Sequence, residues 1–119
     1  MSLLVRAFPI LPGQHETLAE IARDLQGPRA QEAGDFFARH GVARETWHVQ
    51  ETPHGLTVIV VTEIADRPVE VAGEQYAASR APFDVWFKEQ VERVTGYDPD
   101  TTPLGPPTTC VFDSAPPRG

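Results

Sequence analysis

The sequence predicts an α+β domain in which an antiparallel sheet of four strands carries helices on one face. Three observations support this class. Short β-branched segments alternate with stretches of helical periodicity, and proline and glycine separate the segments clearly. The 119 residues are enough for one domain but too few for two that fold without disulfides or metals.

The first half of the predicted domain is a strand followed by an interrupted helix. Residues 3–8 form an apolar run that ends at Pro9, which indicates a strand. Helical spacing of apolar residues then extends from Leu18 to Leu25. The pair Gly27-Pro28 predicts a break, because proline suits the start of a helix and disrupts its interior. A second helical segment follows and ends at Gly41.

A hairpin is predicted at the centre of the chain. Residues 42–50 alternate, with Trp47 on one face and His48 on the other. Residues 56–62 are dominated by β-branched side chains, which favour a strand. The turn-forming residues 52–55 between them predict that the two strands pair antiparallel.

The second half repeats the pattern of an interrupted helix followed by a strand. Asp66 is the predicted N-cap of a helix that runs to Ala78, and Pro82 begins another that ends at Gly96. Residues 97–107 contain four prolines and predict an extended loop. Residues 108–113 predict a last strand. The order β-α-β-β-α-β is the ferredoxin-like plan over residues 1–113, followed by a flexible tail at residues 114–119.

One face of this sheet is left without helices, and we expect a second copy of the chain to cover it. The first and third predicted strands carry apolar residues on both faces, as strands buried on both sides do. An exposed apolar face of four strands would be near the upper range that monomers tolerate. A homodimer through the open sheet face is the simplest remedy.

Three short motifs resemble a group of small uncharacterised bacterial proteins of the dimeric α/β-barrel superfamily. They are Pro12-Gly13, residues 44–47 (Arg-Glu-Thr-Trp) and residues 79–84 (Ser-Arg-Ala-Pro-Phe-Asp). The resemblance spans most of residues 3–113 and implies two ferredoxin-like sheets closing around a shared interior. Members of the group often carry a histidine before the proline, where this chain has Ala81. The group has no established activity to carry over, and a shared fold does not transfer function.

Composition narrows the classes of function. The net charge of −7 argues against nucleic-acid and membrane-surface partners. One cysteine excludes an internal disulfide, and no histidine spacing indicates a metal site, so no cofactor is expected. The sequence contains neither a membrane-spanning run nor a signal-peptide pattern, which predicts a cytoplasmic protein. Nine arginines against one lysine favour a GC-rich bacterial source.

Four residues are candidates for a site in the barrel interior. Arg6 is expected to point into that interior beside Phe8, either anchoring a ligand or pairing with Glu63 or Asp113. His48 is the candidate base, and a solvated strand histidine is the alternative. Glu63 ends the strongest strand and could support acid–base chemistry with Glu45, on the same face as Trp47, if the two carboxylates were held near one another. A solvated or paired carboxylate is the alternative for Glu63.

Three functions remain open from the sequence. The preferred one is a dimer that binds a small anionic or aromatic molecule through Arg6, Phe8, His48 and Glu63. The second is a cofactor-independent monooxygenase- or isomerase-like enzyme in which His48 is the base and Arg6 stabilises an oxyanion. The third is a fully packed dimer that serves only as a scaffold for interactions.

Overall fold

The computed structural model describes residues 2–115 and has α+β architecture with three strands and four helices in that range. Met1 and residues 116–119, which include most of the predicted tail, lie outside the described residues. In chain order the elements are β1 Ser2–Pro9, α1 His15–Gln26, α2 Ala30–Arg39, β2 Val42–Thr52, β3 Gly55–Ile64, α3 Val69–Ala78 and α4 Pro82–Thr95.

The sheet is antiparallel with the order β1-β3-β2. Val5 lies opposite Val61 in the first pair, and Trp47 lies opposite Val60 in the second. The central strand β3 is therefore the β-branched segment that gives the strongest strand signal in the sequence. Its partners β1 and β2 run parallel to each other on either side of it.

The helix breaks fall where proline and glycine predict them. α1 ends at Gln26 and α2 begins at Ala30, on either side of the Gly27-Pro28 pair. α4 begins at Pro82 and is followed by Gly96, whose φ of 80° is the left-handed conformation that favours glycine. α3 starts at Val69, later than predicted, because Asp66 makes no cap and Pro68 takes that position.

The sheet of the described residues has three strands where the sequence predicts four. Only the start of the predicted last strand reaches the sheet: the Thr108 amide donates to the Val5 carbonyl at 3.1 Å, and Pro107 bridges to Arg6. Beyond this point the chain leaves β1, so that Val111 and Phe112 are 92% and 82% exposed.

All four helices lie over one face of the sheet and enclose two linked apolar clusters. The first joins strand residues such as Phe8 and Val58 to Ile21 of α1 and Val94 of α4. The second joins Phe36 of α2 to the aromatic residues of α4. Trp47 packs against both clusters, so β2 binds the two halves of the core together.

The structure corrects the predicted orientation of β1. Phe8 lies in the core under the helices, and Arg6, two residues away, shares that face. The alternation along β1 places Leu3, Val5 and Ala7 on the open face instead. The prediction was wrong because both faces of β1 are apolar. Under the helices, Arg6 pairs with the carboxylate of Glu45, which lies on β2, on the other side of the central strand.

No helix within residues 2–115 combines the length and the apolar character that crossing a bilayer requires.

Candidate ligand-binding cavity

A cavity of about 120 Å³ lies between the sheet and the helices and is partly open to solvent. Cavities on the order of 150 Å³ hold one benzene molecule, so this one has room for about a single ring. Aromatic side chains from strands and helices form much of its wall, and polar side chains interrupt them. The aromatic residues include Phe8, Phe36, Trp47, Tyr76, Phe87 and Tyr97, and the polar ones include Arg6, His40, Glu45 and Thr62.

A polar chain crosses the floor of the cavity on adjacent strands. The Arg6 Nη2 donates to Thr62 Oγ1 at 3.3 Å, and Thr62 donates in turn to Glu45 Oε1 at 2.8 Å. Arg6 Nη2 and Glu45 Oε1 are 3.7 Å apart, and the two side chains are only 13% and 9% exposed. The indole N–H of Trp47 donates to the second oxygen of Glu45 at 2.9 Å. Glu45 therefore balances the charge of Arg6 inside the protein.

One nitrogen of the Arg6 guanidinium, Nε, is buried without a hydrogen bond to any of residues 2–115. The guanidinium carbon lies 5.4 Å from the centre of the Phe8 ring, a cation–π distance. A buried donor without an acceptor costs free energy, which a ligand oxygen at this point would recover.

Tyr76 of α3 adds a phenol to the cavity wall. Burial raises the pKa of Tyr76 far above its usual range, and the nearby positive charge of Arg6 only partly opposes that effect. The hydroxyl therefore stays protonated at any physiological pH and is available as a donor.

Asp84 is the fully buried carboxylate behind one wall of the cavity. It accepts hydrogen bonds from Arg39, from His40 Nε2 at 2.9 Å and from Ser79 Oγ at 2.5 Å. Burial acts to raise the pKa of Asp84, but the bonds from Ser79 and His40 and the charge of Arg39 outweigh it and lower the pKa. Its place in the first turn of α4 also favours the ionised form.

His40 connects Asp84 to the cavity. The residue is 7% exposed, follows the last residue of α2, and meets the rings of Phe36 and Tyr76 edge-on at 4.7 and 5.8 Å between centroids. Its Nε2 contacts Asp84, whereas its Nδ1 is buried without a hydrogen-bond partner among residues 2–115. The cavity wall thus contains two unpartnered polar nitrogens, Arg6 Nε and His40 Nδ1.

The sheet separates the candidate residues of the sequence analysis into two groups. Arg6 and Phe8 line the cavity. His48 lies on the open face, exposed, with Nε2 3.0 Å from Thr46 Oγ1. Glu63 alternates with the cavity-lining residues of β3 and shares the open face with His48. Arg6 pairs with Glu45, not with Glu63 or Asp113 as the sequence suggested.

Sequence reasoning missed most of the cavity. The sequence did place Glu45 on the strand face of Trp47, and both line the cavity, but it paired Glu45 with Glu63 and not with Arg6. His40, Thr62, Tyr76 and Asp84 carry no local signal, since each acquires its role only through contacts with distant segments. Within residues 2–115 no group of three or more histidine, cysteine or acidic residues is arranged to hold a metal ion.

No family model, curated protein or solved structure was found to match this chain.

Proposed function

We propose that the protein binds a small molecule with one aromatic ring in the cavity between its sheet and its helices. The observation that carries this proposal is the pair of unpartnered nitrogens, Arg6 Nε and His40 Nδ1, in a wall that is otherwise largely aromatic. A ring would pack against that wall, and a polar substituent would satisfy the Arg6 donor.

The charge balance favours a neutral ligand over an anion. Glu45 already neutralises Arg6 at 3.7 Å, so the polar chain offers no net positive charge to a carboxylate or phosphate. The net charge of −7 on the whole chain also repels anions at long range. Of the two ligand classes that the sequence suggests, the structure favours the aromatic one.

The binding test uses 4-fluoroacetophenone, a single ring with a carbonyl acceptor, followed by fluorine NMR. At about 0.5 kcal/mol for each of roughly ten heavy atoms, a Kd of about 0.2 mM is expected. Ala72→Leu, inside the cavity wall, should abolish binding, whereas the matched Ala43→Leu on the exposed part of β2 should not. The circular dichroism spectrum of each variant confirms that it is folded.

A failure to bind any ring would favour the scaffold function instead. The enzyme alternative built on His48 and Arg6 loses its basis within one chain, because the sheet lies between the two side chains. A single substrate in the cavity would contact Arg6 and have no access to His48.

We also propose that two copies pair through their open sheet faces, as in the dimeric α/β-barrel proteins that the sequence resembles. The ferredoxin-like plan places a fourth strand at the free edge of β1, and Thr108 contacts that edge. In this proposal residues 108–113 complete the strand when the partner is present. The exposed Val111 and Phe112 then contribute apolar surface to the interface.

The area of the open sheet face indicates that residues 108–113 contribute to the proposed interface. Three strands about 26 Å long and about 4.8 Å apart present roughly 370 Å² in projection. Two such faces bury about 740 Å², roughly half of the 1,600 Å² or so that stable dimers bury. The remainder has to come from surface outside the sheet, and the exposed segment after Thr108 is adjacent to it.

Sedimentation velocity tests the dimer directly. The wild-type chain should sediment at twice 13.1 kDa at micromolar concentration. Val61→Lys on the open face should yield monomer, and Glu20→Lys on the exposed side of α1 should stay dimeric. A chain that ends at Thr108 should dimerise more weakly. A wild-type monomer would refute the pairing and leave the cavity proposal unaffected, since the cavity lies within one chain.

A further inference from the structure

We propose that His40 is the proton acceptor of the cavity and that the ligand ring carries a hydroxyl group, as a phenol does. This inference rests on the proposed function and specifies its ligand. It assigns to His40 the role that the sequence suggested for His48, on the other face of the sheet.

The hydrogen bond to Asp84 determines the tautomer of His40. An ionised carboxylate can only accept, so Nε2 must be the nitrogen that carries the proton. In neutral His40 the lone pair is then on Nδ1, the atom left without a partner. His40 lines the cavity, and a neutral imidazole whose lone pair has no partner is an acceptor for an O–H donor.

Asp84 also favours full transfer of the ligand's hydroxyl proton to His40. The carboxylate lies 2.9 Å from Nε2 and stabilises the imidazolium that forms when Nδ1 is protonated. Ser79 and Arg39 hold the carboxylate in place from α3 and α2. Asp84 does not face the cavity and acts through His40, so it is a positioning residue.

The proton transfer is balanced within the protein and its ligand. The O–H bond of the phenol breaks, its proton bonds to His40 Nδ1, and the electron pair stays on the oxygen. No electron acceptor or further reactant is required. The products are a phenolate and an imidazolium. The imidazolium balances the charge of the phenolate, and the protonated hydroxyl of Tyr76, whose ring meets that of His40, is a donor in the same wall.

Paired probes test the proposal. The probes are 4-nitrophenol, whose phenolate absorbs at longer wavelength than the phenol, and nitrobenzene, which lacks the hydroxyl. At one pH unit below the pKa of free 4-nitrophenol, the wild-type protein should induce the phenolate band. It should also bind 4-nitrophenol about tenfold more tightly than nitrobenzene, as one hydrogen bond to a charged group allows.

Variants test whether the phenolate band depends on His40 itself or on the protein environment in general. His40→Gln should lose the phenolate band and reduce the tenfold preference to nearly none. Asp84→Asn should weaken the band while nitrobenzene still binds. His54→Gln, in the exposed hairpin turn, is the matched control and should behave as wild type. A phenolate band that persists in His40→Gln would overturn the proposal.

A measurement on the wild-type chain keeps the proposal testable if a variant fails to fold. With nitrogen-15-labelled histidine, NMR distinguishes Nε2–H imidazole from imidazolium. At a pH where the ligand-free protein shows the Nε2–H imidazole, His40 should convert to the imidazolium when 4-nitrophenol binds and should remain unchanged with nitrobenzene. Equal binding of the two probes, with no change at His40, would refute the role of His40 as proton acceptor but not the binding of an aromatic ring. Binding of neither probe would refute the proposed function as well.

Discussion

Replacing Asp84 with alanine should destabilise the protein strongly. The side chain is fully buried and is the common acceptor for Arg39, His40 and Ser79. Alanine leaves those donors without their acceptor and opens a space where the carboxylate was. The fold must then either admit water at this point or leave polar hydrogens unsatisfied.

The magnitude follows from how far each donor can reach water. His40 is buried and Ser79 is half-buried, so each loses a bond to a charged acceptor at about 1.5–3 kcal/mol. The Arg39 side chain is 44% exposed and can be rehydrated, so its share is less than about 1 kcal/mol. Alanine also removes the free-energy cost of burying a carboxylate, which offsets part of this loss. The expected loss in the free energy of unfolding is about 3–5 kcal/mol.

Urea unfolding of the Asp84→Ala variant measures this loss. Asp66→Ala is the control, because Asp66 also pairs with an arginine but its side chain is 60% exposed, and its loss should stay below about 1 kcal/mol. In a double-mutant cycle, Ser79→Ala should cost less in the Asp84→Ala background than in the wild type. A loss below 1 kcal/mol for Asp84→Ala, or additive effects in the cycle, would refute the role of Asp84 as a shared acceptor.

Three further predictions concern stability, each measured by urea unfolding. The pKa of Asp84 is lowered from 3.8 in the folded state, so its contribution to the free energy of unfolding is complete above pH 3.8 and is lost as the pH falls further. The free energy of unfolding of Asp84→Ala should therefore decrease less steeply with falling pH than that of the wild type. Gly105→Ala should cost about 2–4 kcal/mol, because φ is 60° and the added methyl would overlap the Phe8 ring. Gly13→Ala, at φ 81° in open space, should cost only about 1 kcal/mol, and equal losses would contradict the overlap. Val94→Ala, which empties a core position, should cost about 2 kcal/mol, and a neutral result would contradict its packing.

The elements of the fold were accessible from the sequence because their boundaries are local. Gly27-Pro28, Pro82 and Gly96 impose backbone conformations that do not depend on the rest of the chain, and the structure places helix ends beside each of them. The β-branched run of β3 likewise favours a strand wherever it lies. The last strand was harder to predict, because β-propensity supplies no pairing partner, and within residues 2–115 the sheet engages only its first residue.

The site was less accessible because its contacts join distant segments. His40 and Asp84 are 44 residues apart and interact only because the end of α2 meets the start of α4. Arg6 was assigned to the open face because both sides of β1 are apolar, so alternation alone could not orient it. Its orientation depends on Phe8 packing in the core and on Glu45, two strands away, receiving the charge.

Three helix ends meet at Asp84: the end of α2 through Arg39 and His40, the end of α3 through Ser79, and the first turn of α4. One carboxylate therefore joins the helical connection that precedes the hairpin to the one that follows it. Breaking this junction would free both connections at once, so the two should open as one unit in native-state hydrogen exchange and not one after the other. α2, α3 and α4 are in this respect a single cooperative structure.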